Sequence, residues 1–140
     1  IRTEINNITR NNNSVVSAIS KNVIKYAEEL GLGNKETIPA SYLFTSNLKE
    51  LSGAVLHKTA FAFRLAYITV IEDTLKIKLP IILDSPSGKE VDQANIKLMM
   101  DILKRDFADH QIIIASIFNY DFDEAKIIEI KERLITENSL

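Results

Sequence analysis

The segment Lys78–Ile96, KLPIILDSPSGKEVDQANI, gathers three carboxylates, Asp84, Glu90 and Asp92, around a turn that contains proline and glycine. Ile81, Ile82 and Leu83 make an apolar run without polar alternation, the pattern of a strand covered on both faces, so Asp84 stands where the chain leaves the core. At the carboxyl end of a buried strand an acid faces the crevice where α/β proteins place ligands. The structural alternative is an aspartate that caps the turn after the strand. About thirty residues earlier, Leu51, Ser52 and Gly53 precede a helical pattern. Serine and glycine at a helix start offer a hydroxyl and free backbone N–H groups to an anion, assisted by the helix dipole. As a plain N-cap, Ser52 would serve only the helix. His57 and His110 read as partly exposed packing residues. The SGK at Ser87–Lys89 is no phosphate loop, because G-x-x-x-x-G-K-[ST] occurs nowhere in the chain.

The elements that must position these residues follow from hydrophobic period. Ile1, Ile5 and Ile8, then Val15, Ile19, Val23, Tyr26 and Leu30, recur at spacings near three and four, the seam of an amphipathic or coiled-coil helix. Asn12 interrupts the seam, which predicts a fresh helix start near Asn13 or Ser14 and a stop at Gly31. Thr37–Ser46, TIPASYLFTS, reads as a short edge strand. A long helix follows Gly53, with Val55, Thr59, Phe63, Ala66 and Val70 on one face and Leu56, Ala60 and Tyr67 beside it; apolar almost all round, it is expected to be buried. Asp92 suits the N-cap of a helix whose packed face is Ile96, Met99, Met100, Leu103 and Phe107. A strand ending at Ser116 comes next, and Lys126–Ile130 reads as a further strand before a short final helix. Strand, helix, strand in this order implies parallel pairing through a right-handed crossover.

Composition narrows the classes. The chain has 140 residues, 46% hydrophobic and 26% charged, which fits one globular domain. A net charge of -2 gives no chain-wide basic field for nucleic acid. The absence of cysteine excludes disulfides and thiolate metal sites, and two histidines leave little for zinc. No apolar run approaches the ~20 residues of a bilayer span, and the first residues, Ile1–Arg10, hold no signal-peptide core, so a cytoplasmic setting without a membrane partner is expected.

The order Leu51-Ser52-Gly53-Ala54, then LPIILDSPSG from Leu79, then QIIIASI from Gln111, resembles the C-terminal lobe of ABC-type ATPases, most closely the SMC-like and RecF-like DNA-repair branch, over Leu48 to Ile130. The resemblance implies an α/β fold, the parallel-sheet C-terminal lobe of a P-loop ATPase, with residues 1–34 as a coiled-coil-like root and 35–140 as the lobe. It makes Leu51, Ser52 and Gly53 a signature that touches a γ-phosphate, Asp84 the Walker B aspartate that holds Mg²⁺ through water, Asp92 the D-loop aspartate, and Ser116 the end of the switch strand. Where the family has a catalytic glutamate this chain has Ser85, and its switch histidine position reads Ile117; Glu90 is the nearest carboxylate, either swung toward the phosphate or solvated in the turn. Lacking the phosphate cradle, the chain is expected to need a Walker A lobe from the same longer protein to bind ATP, and a second identical head to complete the sandwich. Hydrolysis then belongs to the full-length protein, and DNA is its implied partner. A rival expectation is a non-catalytic α/β interaction module that dimerises through its N-terminal helix. A Rossmann-like phosphatase fits less well, because Pro86 stands where its second aspartate belongs.

Overall fold

Ile19, Val23, Tyr26 and Leu30 do fall on one helical face, and all four are buried. The structure, a computed structural model, describes residues 4, 14–33, 51, 53–86 and 91–131. The first helix, α1 (Ser14–Glu29), starts at the expected serine. It ends in a Schellman motif: Gly31, at φ 73°, sends its N–H to the Glu28 carbonyl, and Leu32 sends its own to Ala27. Leu32 is buried, which completes the apolar contact of that motif. The expected strand over Thr37–Ser46 and the closing helix lie outside the described residues.

Helix α2 (Gly53–Leu75) packs along α1. Its buried side chains are Thr59, Phe61, Ala62, Leu65, Ala66 and Val70, about half the circumference; Val55 and Phe63 are half-buried and Tyr67 is exposed. Burial all round is therefore not what forms. The apolar residues of the other half meet no second layer among the described residues. This helix also amends the expectation about apolar runs, since its 23 residues are long and apolar enough to cross a membrane by length and composition.

Strand β1 (Ile81–Asp84), helix α3 (Gln93–Asp106) and strand β2 (Ile112–Ala115) follow. The two strands pair in parallel, with Ile81 opposite Ile112 and Asp84 opposite Ala115, so the chain is α/β with the expected neighbour relation. Helix α3 presents Ile96, Met99, Met100 and Leu103 to the core, and Phe107 closes the face behind it. One hydrophobic core takes side chains from α1, α2, α3 and β1. Among the described residues the sheet is not covered on both faces: Ile81 and Leu83 point inward, whereas Ile82 is 65% exposed and its register neighbour Ile113 46%. Lys126–Ile130 forms no strand either, and Ile127, Ile128 and Ile130 are exposed, because no described strand lies beside them to supply a ladder.

Polar contacts fasten the helices at their ends. Thr69 donates its hydroxyl hydrogen to the Leu65 carbonyl, which leaves its oxygen to accept from the buried Tyr26 hydroxyl at 3.0 Å. Asp106, at the end of α3, accepts two bonds from Arg105 and one from Lys25 of α1 at 2.8 Å, while Arg105 also reaches Glu29 at 2.6 Å. The Arg105 guanidinium, then Lys25, hold the Asp106 carboxyl far below the ordinary carboxylate range. A depressed carboxyl stabilises the fold above its unfolded pKa and loses that contribution as pH falls toward the folded value. Asp106→Asn is expected to cost about 1 kcal/mol at neutral pH and to flatten the loss of stability below about pH 4, with the exposure of its cationic partners limiting the size. Urea melts at pH 7 and pH 3 measure both effects; an unchanged pH slope in the variant would show that the cluster contributes nothing.

Candidate functional site

The sheet brings its two carboxyl ends together. Asp84 ends β1 opposite Ala115, and the next amide, Ser85 N–H, donates to the Ala115 carbonyl at 2.8 Å, so Ser116 follows directly beside Ser85. Ser85 sits in the left-handed region at φ 48°, a conformation that a non-glycine residue holds at a cost of about 1 kcal/mol or more. The turn thus departs sharply from the strand, and the Ser85 hydroxyl folds back to donate to Asp84 Oδ1 at 3.2 Å. Asp84 is exposed and forms no ion pair among the described residues, which leaves carboxylate oxygen directed to solvent.

Asp84 and Ser85 form one wall of a cleft of about 260 Å³. The facing wall is α2, through His57 and Arg64, two turns apart on one side of the helix; Phe61 and Met99 give the cleft apolar lining. Phe61 and Met99 are buried by the core, so they hold the cleft's shape, while Arg64 is exposed at its edge. Sequence reasoning assigned His57 to packing and passed over Arg64. The available signal was the spacing: His57 and Arg64 stand seven residues apart, two turns, on one side of a largely apolar helix.

The remaining expected residues fall as follows. Gly53 begins α2 at φ 58°, where no side chain would collide but the backbone itself favours glycine, and Leu51 is half-buried just before it. Ser52 and Glu90 lie outside the described residues. Asp92 is a working N-cap: Oδ1 accepts from the Asn95 N–H at 2.8 Å and Oδ2 from the Asn95 side chain at 3.0 Å. Ser116 accepts from the Phe118 N–H and donates to the Tyr120 hydroxyl, which shapes the turn after β2. His110 is buried rather than partly exposed. Its Nδ1 donates to the Leu79 carbonyl and its Nε2 lies 2.9 Å from Glu72 Oε2, tying the start of β2 to the end of α2.

For Mg²⁺ the donor set is partial. Among the described residues no group of three or more ligating side chains converges. Mg²⁺ is nonetheless commonly held by one or two carboxylates, with phosphate oxygens and waters completing the octahedron, and Asp84 fits as such a single ligand. Comparison with known proteins gives no match among protein-family models, curated proteins or solved structures.

Two substitutions test the local backbone. Asp92→Ala should lower stability by about 1 kcal/mol through loss of the cap. Ser85→Gly should be neutral or stabilising by up to about 1 kcal/mol, because glycine adopts the left-handed turn freely. Thermal melts read both, and a clear destabilisation by Ser85→Gly would mean that the serine hydroxyl outweighs the backbone strain.

Proposed function

We propose that this chain is the C-terminal half of an ABC-type ATPase head of the SMC-like or RecF-like kind, working on DNA in the cytoplasm as part of a longer protein. The observation that carries the reading is the parallel register of β1 and β2, which sets Asp84 beside Ala115 and Ser116 at the same sheet edge, with α2 starting at Gly53 after Leu51 and Ser52. In this reading Asp84 holds Mg²⁺ through water, Ser52 and Gly53 meet the γ-phosphate bound by a second head, and Asp92 and Ser116 shape the loops beside it. Glu90 supplies the carboxylate that orients water. ATP itself is cradled by a Walker A lobe that this chain does not encode.

The sheet face at Ile82 and Ile113, uncovered among the described residues, supports a half rather than a whole. A parallel sheet is normally layered on both sides, so a further lobe has a place to pack. The rival module loses ground over residues 14–30, because the seam that would dimerise, Ile19, Val23, Tyr26 and Leu30, is already buried within the chain.

The chain alone should show no steady ATP turnover, and turnover abolished by Asp84→Asn would overturn the half-head reading. In the full-length protein Ser52→Arg should block ATP-dependent pairing while each monomer still binds ATP, whereas Ser52→Ala should cost about 1 kcal/mol of stability at most. Gel filtration with a non-hydrolysable ATP analogue, alongside a melt of each variant, measures this; normal pairing by folded Ser52→Arg removes Ser52 from the site.

A further inference from the structure

The cleft between α2 and the end of β1 holds two opposite charges that do not meet. Arg64 makes no hydrogen bond or ion pair among the described residues, and neither does the Asp84 carboxylate apart from its bond to Ser85. The contrast with Arg105 is direct, since that guanidinium donates through Nε and Nη2 to Asp106 and Glu29. A guanidinium on the wall of a concave site is a ready donor to the oxygens of an anion, and its planar fork suits phosphate in particular. Ser85 adds a second observation. Its left-handed backbone, fixed by the bond to Ala115, is strain held at the cleft's rim, and such outliers concentrate at ligand sites. The apolar lining from Phe61 and Met99 keeps the cleft from collapsing onto the charges.

An anion beside Arg64 also approaches Asp84, and two negative groups in one cleft repel unless a cation lies between them. We propose that this cleft is a phosphate-binding subsite in which Arg64 holds the phosphate and Asp84 couples it to a divalent cation. The ligand chemistry is a phosphate group, carried either by free phosphate or by a nucleotide. The cation rests on the reading of Asp84 given above; the anion site rests only on the cleft and Arg64.

The test titrates inorganic phosphate, and separately ADP, into the 140-residue chain with and without Mg²⁺, followed by backbone amide and arginine Nε–H resonances. Saturable shifts are expected at Phe61, Ser85 and the Arg64 Nε–H, with Mg²⁺ tightening binding several-fold. Arg64→Gln should weaken binding about tenfold, and Arg64→Lys less, because lysine keeps the charge and loses the fork. Asp84→Asn should bind phosphate without Mg²⁺ at least as well as the wild type and lose the Mg²⁺ enhancement. Shifts with ADP and none with inorganic phosphate would identify a nucleotide as the source; equal effects would identify the phosphate group alone. The absence of saturable shifts, shifts centred away from the cleft, or wild-type affinity in folded Arg64→Gln would overturn the subsite. Arg64-dependent binding indifferent to Mg²⁺ would overturn the coupling to Asp84. None of these readouts involves Ser52 or pairing of heads, so this site and the half-head reading fail separately.

Discussion

Parallel strands cannot be joined by a tight turn, and that constraint organises the molecule. Having laid down β1, the chain must travel its length again before β2 can run in the same direction. Helix α3 is the return path, and it succeeds because its Ile96, Met99, Met100 and Leu103 face the core it has to cross. The result is that both strands finish at one edge. Asp84, Ser85, Ala115 and Ser116 meet there because of the direction of pairing, not because of any attraction among them.

The helices depend on that arrangement in turn. With the sheet two strands wide among the described residues, β1 offers Ile81 and Leu83 to the core, and α1 supplies further cover for α2. Small residues on α2, Ala62 and Ala66, are fully buried, as close helix contact requires. At the helix ends Lys25, Glu29, Arg105 and Asp106 join α1 to α3 without burying an unpaired charge.

Periodicity made much of this legible in advance. The α1 seam from Ile19 to Leu30, the Gly31 stop, the Asp92 cap and the α3 face all rest on local rules and formed where those rules place them, whereas Val15 is exposed and Ile1, Ile5 and Ile8 lie outside the described residues. What failed was inference about layers. An unbroken Ile-Ile-Leu run implies cover on both faces, yet an apolar residue records a tendency to be buried, not the presence of something to bury it; Ile82 has no cover among the described residues. The same reasoning misplaced the burial of α2 and anticipated a strand at Lys126–Ile130. At the site, Asp84 announced itself through its place after an apolar run, whereas Arg64 became visible only when the fold laid α2 across the end of β1. His110 was undervalued because a buried histidine depends on acceptors distant in sequence, here Leu79 and Glu72.

The exposed isoleucines of the last described stretch carry a consequence for the behaviour of the chain in concentrated solution. Ile127, Ile128 and Ile130 are β-branched, exposed, and lie outside any ladder among the described residues. Such a segment is a template for strand-to-strand association between molecules, the route by which soluble chains enter fibrils. Lys126, Glu129 and Lys131 punctuate it with charge of both signs, and flanking or interrupting charges act as gatekeepers against stacking in register. High salt, by screening those three side chains, weakens that protection.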